Sequence, residues 1–340
     1  MATQRFAFAS NYAGIDPGTT QRLPSTSLFT IDSEDRWRDY PEARSLGSNR
    51  NADAYNFTIY KPEALLSGYF TRLAITEVAF PWVIGNVNRR TSTIVVGWAD
   101  SSGTYSQQIA LPQGFYTPAR LASTLQTVVR SLSPSLAAFT ITYGVEGYGS
   151  DVVDSPVFQY RANGGIGVSV WFNPLPYNSS AYPYPSTSKQ LFDVLGFTEL
   201  NQQPLATSAG AVGGFTYCQA VRYIDICSSA LTYNQALKDG TSQPISRDSL
   251  CRIYVSDSNA QSSVPCSSAS FSPPGCTPTT IYRQFSTPKS IQWAPNQPIP
   301  GVVDFQVYDD TGVLLTQNVP DSAGVANRTD WSMSILVSEN

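Results

Sequence analysis

At 340 residues, net charge −4 and pI near 4.9, the chain is long enough for one decorated domain or two, and it carries no electrostatic footprint for nucleic acid. Only 14% of residues are charged, against roughly 25% in average soluble proteins, and Ser, Thr, Asn, Gln, Gly and Pro fill the gap. No apolar run reaches the ~20 residues of a membrane span, the first residues lack an apolar secretory core, and the absence of His removes every Ser-His-Asp or Cys-His arrangement.

Residues 1–52 have few consecutive apolar positions and balance Arg against Asp and Glu, which predicts a neutral, extended N-terminal arm rather than a basic tail. Strands are expected over Tyr55–Tyr60, Tyr69–Trp82 and Thr93–Trp98. A compact α/β module follows. Thr117 caps a helix that starts at Pro118, carries Leu121, Leu125, Val128 and Leu132 on one stripe, and stops at Pro134. Asn163-Gly164 predicts a hairpin between Val157–Tyr160 and Ile166–Phe172, and this reads the glycines around it as a turn, since no helix follows as a phosphate loop requires. Ser186–Ser188 offer caps to a second helix that Gly196 ends.

Downstream, strands are expected over Ala220–Leu231, Cys251–Val255, Ile281–Trp293, Val302–Tyr308, Val313–Thr316 and Trp331–Val337. Alternation is cleanest in Val303, Phe305 and Val307, and in Trp331, Met333, Ile335 and Val337. The fold class is therefore mainly β: a single jelly-roll sandwich formed by 53–99 and 217–340, an inserted α/β subdomain over 100–216, and the arm over 1–52.

Little of the chain suits chemistry. Cys218, Cys227 and Cys251 read as core filler, Cys266 and Cys276 could bridge within a Ser/Pro-rich loop, and none has zinc-finger spacing. Asn56, Asn178 and Asn327 head chance sequons. Asp309 and Asp310, with Asp304 nearby, read as solvated turn acids; a calcium site at a subunit junction and a two-acid glycosidase are the alternatives weighed. The expectation is a protein that is not an enzyme and needs no cofactor or metal.

Four parts of the chain carry a resemblance. Leu111-Pro112-Gln113-Gly114-Phe115-Tyr116-Thr117-Pro118, with its helix and the distal Val194-Leu195-Gly196-Phe197, looks like a module of minor capsid proteins of virophages and polinton-like viruses. Arg222-Tyr223-Ile224-Asp225-Ile226 with Leu231–Asp239, and Pro288–Trp293 leading to Val303–Gly312, resemble their penton proteins. Phe29–Arg36 fits the lead-in such proteins place before the first strand. The resemblance implies a structural virion protein, a homopentameric penton at the fivefold vertices of an icosahedral capsid, assembled inside the host cell. Its partners would be four further copies, a neighbouring major capsid protein and a host receptor, although the chain has no Arg-Gly-Asp loop. With seventeen Arg and Lys only at 61, 189, 238 and 289, the subunit-interface candidates are Arg222, Arg247, Arg252 and Arg283 against Asp225, Asp248 and Asp304. Phe29, Ile31, Trp37 and Tyr40 are the candidates for docking the arm on a neighbour. The alternative is a jelly-roll carbohydrate-binding or host-attachment protein with Tyr177, Tyr182 and Tyr184 as aromatic platforms.

Overall fold

A computed structural model describes residues 26–37, 53–67, 70–143, 146–148, 151–153, 158–162, 168–197, 203–205, 211–212, 218–233, 249–255, 279–295, 297–318 and 329–339. Within them, β1 (Thr26–Asp32), β2 (Asn56–Tyr60), β3 (Arg72–Trp82), β13 (Tyr223–Cys227), β14 (Ser249–Tyr254), β15 (Thr279–Gln284), β16 (Ser290–Gln292), β17 (Val302–Asp309) and β18 (Ser332–Ser338) form two antiparallel sheets. One sheet runs β1-β18-β3-β15, with β16 continuing beside β3 along the same edge; the other runs β14-β13-β17-β2. With β15 and β16 taken as one interrupted strand, the eight strands in chain order lie as 1-8-3-6 and 5-4-7-2. That double wrap is a jelly roll.

The strands form where side chains alternate between a buried and an outward face. Phe57, Ile59, Val303, Phe305 and Val307 point inward from the second sheet and meet Leu73, Ile75, Val78, Phe80, Met333 and Ile335 from the first. Trp331 closes the middle of this core: its ring lies 5.8 Å from Phe57, 6.2 Å from Phe80 and 6.0 Å from Phe305, and its indole N–H donates to the Ala54 carbonyl at 2.7 Å. Outside the first sheet a polar ladder crosses three strands, Tyr282 and Ser334 each donating to Glu77 at 2.7 Å.

The segment between β3 and β13 carries β4 (Thr93–Asp100), β5 (Gly103–Ala110), α1 (Pro118–Leu132), β6 (Phe139–Tyr143), β7 (Glu146–Tyr148), β8 (Asp151–Val153), β9 (Phe158–Ala162), β10 (Ser169–Asn173), α2 (Leu191–Val194), β11 (Gln203–Leu205) and β12 (Ala211–Val212). A short helix, α3 (Ser229–Thr232), follows β13. Sheets β11-β10-β4-β5 and β12-β9-β6 share a core in which Tyr160 meets Phe172 edge-on at 5.6 Å and stacks on Phe197 at 5.2 Å. α1 packs on β6 through Leu121, Leu125 and Val129, while Val128 and Leu132 are only partly buried. The Thr117 hydroxyl caps it by accepting from the Arg120 N–H at 3.3 Å.

Several expectations change. Thr93–Asp100 pairs with β5 and β10, so it belongs with the inserted sheets and not with the sandwich strands of 53–99. β9 and β10 do not form a hairpin: each pairs with other strands, and their buried aromatics Tyr160 and Phe172 meet edge-on across the core. Asn163-Gly164 lies outside the described residues. Gln190, not Ser186–Ser188, caps α2, by a reciprocal bond in which its N–H donates to Asp193 at 2.7 Å. Gly196 ends that helix at φ +88°, as expected. Ala220–Leu231 turns into α3 after Cys227, Ile281–Trp293 breaks into two strands before Pro288, and Leu315–Asn318 is a 3-10 turn where a strand was expected.

Part of the arm is sandwich. Thr26–Asp32 pairs along its whole length with β18, which places Phe29 opposite Ile335 and buries Ile31 against the core. A 3-10 turn over Ser33–Trp37 then buries Arg36, whose guanidinium pairs with Asp330, bonds Ser33 and sits 6.0 Å from the Phe57 ring. Phe29 and Ile31 thus have their partners inside this chain, because an edge strand completes a sheet with few apolar side chains of its own. The Trp37 side chain and Tyr40 lie outside the described residues.

Candidate functional site

The Asp309-Asp310-Thr311-Gly312 turn ends β17 where the insert meets the sandwich. Gly312 supplies the φ of +79° that the turn needs. Asp309 Oδ1 accepts from the Thr311 N–H at 2.9 Å, the Thr311 hydroxyl at 2.6 Å and the Val313 N–H at 3.0 Å, while Oδ2 pairs with Arg90. Arg90 also donates to Thr311 at 3.1 Å and Ser188 at 3.3 Å. Asp310 Oδ2 accepts from Lys189 Nζ at 3.0 Å and from Arg222 Nε at 2.8 Å; its Oδ1 has no partner among the described residues. Both carboxylates are buried.

Two acids and three cations from four separate segments therefore clasp the loop after β3, the end of the insert, the lead into β13 and the end of β17. The expectation of solvated turn acids is overturned, because folding lays Arg90, Lys189 and Arg222 over them. Ion pairing accounts for what these carboxylates do, and among the described residues no group of three His, Cys, Asp or Glu side chains could hold a metal ion.

The outer face of β14-β13-β17-β2 is the surface that can do something else. Arg252 forks onto Asp225 with two bonds of 2.8 Å and lies 3.9 Å above the Tyr223 ring. Tyr254 meets Tyr223 edge-on at 5.7 Å and stays 46% exposed. Tyr308 stands beside Asp225 in the register, and at the far end Tyr60 pairs with Val302, both exposed. Asp304, on the same face, accepts from the Ser229 N–H at 3.2 Å, the Ser229 hydroxyl at 2.8 Å and the Ala230 N–H at 2.9 Å, which anchors α3; Tyr233 beyond it is 77% exposed. Tyrosine and arginine are the residue types that carry binding energy between proteins, and no lysine stands on these strands.

The interface candidates are thus dispersed. Arg222, Arg252, Asp225 and Asp304 all have partners inside the chain, and the two arginines keep exposed side chains while doing so. Arg283 is exposed on β15 opposite Val78. Arg247 and Asp248 lie outside the described residues, as do Cys266 and Cys276. Cys218, Cys227 and Cys251 are buried and unbridged, and burial raises the Cys251 thiol far above its ordinary value. Tyr182, wedged edge-on between Tyr177 and Tyr184, is buried and donates to the Lys189 carbonyl at 2.9 Å, so the three rings form a packed knot and not a flat platform. Sequence reasoning missed Arg90 and Arg36 as buried ion-pair centres; only the position of Arg36 at the end of the Phe29–Arg36 lead-in gave any signal.

No protein-family model matches the chain, and no curated protein matches it. Among solved structures it is similar to the crystal structure of the mavirus penton protein, at 10% identity and a TM-score of 0.46, over 94% of this chain and 100% of that one.

Proposed function

We propose that the chain is a structural protein of an icosahedral virion, a penton of which five copies close around the fivefold vertex. The observation that carries the reading is the tyrosine- and arginine-bearing outer face of a jelly roll whose conspicuous acids, Asp309 and Asp310, are spent on internal ion pairs. A surface of that composition is suited to burial against protein. The order of the capsid-like segments in the sequence supports the same assignment. Closure around a fivefold axis needs two different complementary faces per subunit. The tyrosine face is one; the β15 edge, with Tyr282 and Arg283 exposed, is the other. The partners are four further copies and the adjoining major capsid protein, and the place of work is the capsid vertex.

Negative-stain images of the purified chain test this directly. Rings of five are expected, and Tyr254→Glu should dissolve them into folded single subunits. A monomer at every concentration, or rings of another order, refutes the assignment.

A further inference from the structure

β5 is an open sheet edge of an unusual kind. Its eight residues pair with β4 from Gly103 opposite Asp100 to Ala110 opposite Thr93 without a register shift, and all but Ile109 are exposed. No charged residue occurs between Asp100 and Arg120. Natural sheets guard their edges with charges, prolines or bulges. Most other edges among the described residues do so here: β14 bears Arg252, β15 bears Arg283, β11 contains Pro204, β1 ends on Asp32, β2 runs into Lys61-Pro62, and β6 is covered by α1, whose Arg130 and Gln126 bond its Phe139 carbonyl and Ile141 N–H. β5 has none of these devices.

The ladder fixes which backbone groups are open. The Leu111 N–H donates to the Ser92 carbonyl at 2.7 Å, continuing the β4 register, so the odd-numbered residues of β5 bond β4. Thr104, Ser106, Gln108 and Ala110 therefore turn their N–H and C=O groups outward. We infer that β5 is a strand-addition surface whose occupant is β5 of a second copy, joined antiparallel about a twofold axis through Gln107.

That register is the one that engages all four outward residues, Thr104 with Ala110 and Ser106 with Gln108, in both directions. It sets Tyr105, stacked on Trp98 at 5.4 Å, opposite Ile109 of the copy and so extends the apolar face of the sheet across the axis. A copy of the strand also matches the edge in charge: neutral meets neutral, whereas an edge bearing Arg or Asp would meet its own like charge. The contact is separate from the fivefold surfaces and does not depend on them.

Light scattering of the purified chain over a wide concentration range reads the contact. The mass should double with concentration. Ser106→Pro removes an outward donor, leaves the β4 ladder intact, and should abolish the doubling. Gln107→Lys places two like charges face to face on the axis and should do the same, as should Gln107→Glu, while an equimolar mixture of those two variants should restore the doubled mass. Far-UV circular dichroism checks that each variant is folded. Absence of doubling in the unmodified chain, doubling that survives both Ser106→Pro and Gln107→Lys, or a mixture that stays undoubled overturns the inference. Rings of five that never pair leave the vertex assignment standing while this fails, and paired copies that never form rings do the opposite.

Discussion

Arg90→Met tests whether the buried clasp holds the insert to the sandwich. The substitution withdraws the guanidinium from the buried Asp309 Oδ2 and Ser188 and from the half-buried Thr311, and fills part of the space with an apolar side chain. Losing a hydrogen bond to a buried charged group costs about 1.5–3 kcal/mol, and breaking a buried ion pair by removing one partner costs about 3–5 kcal/mol. The remaining cations, Lys189 and Arg222, sit on Asp310 and still balance the two acids in number, which places the expected loss where the ranges meet, at about 3 kcal/mol. Adding Asp309→Asn removes the buried charge while its Oδ1 still accepts from Thr311 and Val313, so the double variant should recover at least about 2 kcal/mol. Urea unfolding followed by tryptophan fluorescence gives all four corners of this cycle. A single variant within about 1 kcal/mol of the parent, or losses that simply add, would show that the pair does not work as a clasp.

Three further outcomes follow from local geometry. Gly85→Ala should cost about 1–3 kcal/mol in the same assay, because a Cβ there would stand 2.2 Å from the Gly114 carbonyl oxygen, which is backbone and cannot swing aside. Asp304→Ala should cost about 1 kcal/mol, since Ser228 still caps α3 through the Leu231 N–H at 3.2 Å; a loss several times larger would mean that α3 does more than cover the sheet. Burial raises the Asp53 carboxyl above its ordinary value, against lowering bonds from the Thr316 hydroxyl and the Tyr55 N–H. Folding then favours its protonated form: that contribution is complete below the unfolded value of about 4 and is lost as pH rises through the higher folded value. Melting temperatures of Asp53→Asn should gain on the parent across that window, and parallel curves would refute the assignment.

What the sequence made legible was whatever a single segment decides for itself. Val303, Phe305 and Val307 announce a half-buried strand, and Thr117-Pro118 announces a helix start, because the neighbours that matter are two to four residues away. Partners were not legible. Thr93–Trp98 reads as a strand, yet nothing in it says whether it joins the sandwich or the insert. Asp309-Asp310-Thr311-Gly312 has one appearance whether water or Arg90, more than 200 residues upstream, lies over it. β1 escaped for the converse reason: an edge strand with one fully buried side chain, Ile31, has almost no apolar pattern to show. The tyrosine-rich outer face was invisible because its members come from four strands and meet only through the register.

Asn86 gathers three distant points of the chain. Its Nδ2 donates to the Tyr116 carbonyl at 2.8 Å and to the Cys218 carbonyl at 2.9 Å, and its Oδ1 accepts from the Tyr116 N–H at 2.8 Å, so the insert starts and finishes at one buried amide. The consequence is kinetic. β3 and β13 belong to the same sandwich but are separated by about 140 residues, and closing so long a loop costs about 2 kcal/mol more entropy than closing one of about ten. If the insert folds first, Asn86 has already brought residues 86 and 218 together and the long loop becomes a short one. Pulse-labelling hydrogen exchange should therefore find α1 and β6 protected before β13 and β17, and Asn86→Ala should slow the sandwich phase while leaving the earlier phase unchanged.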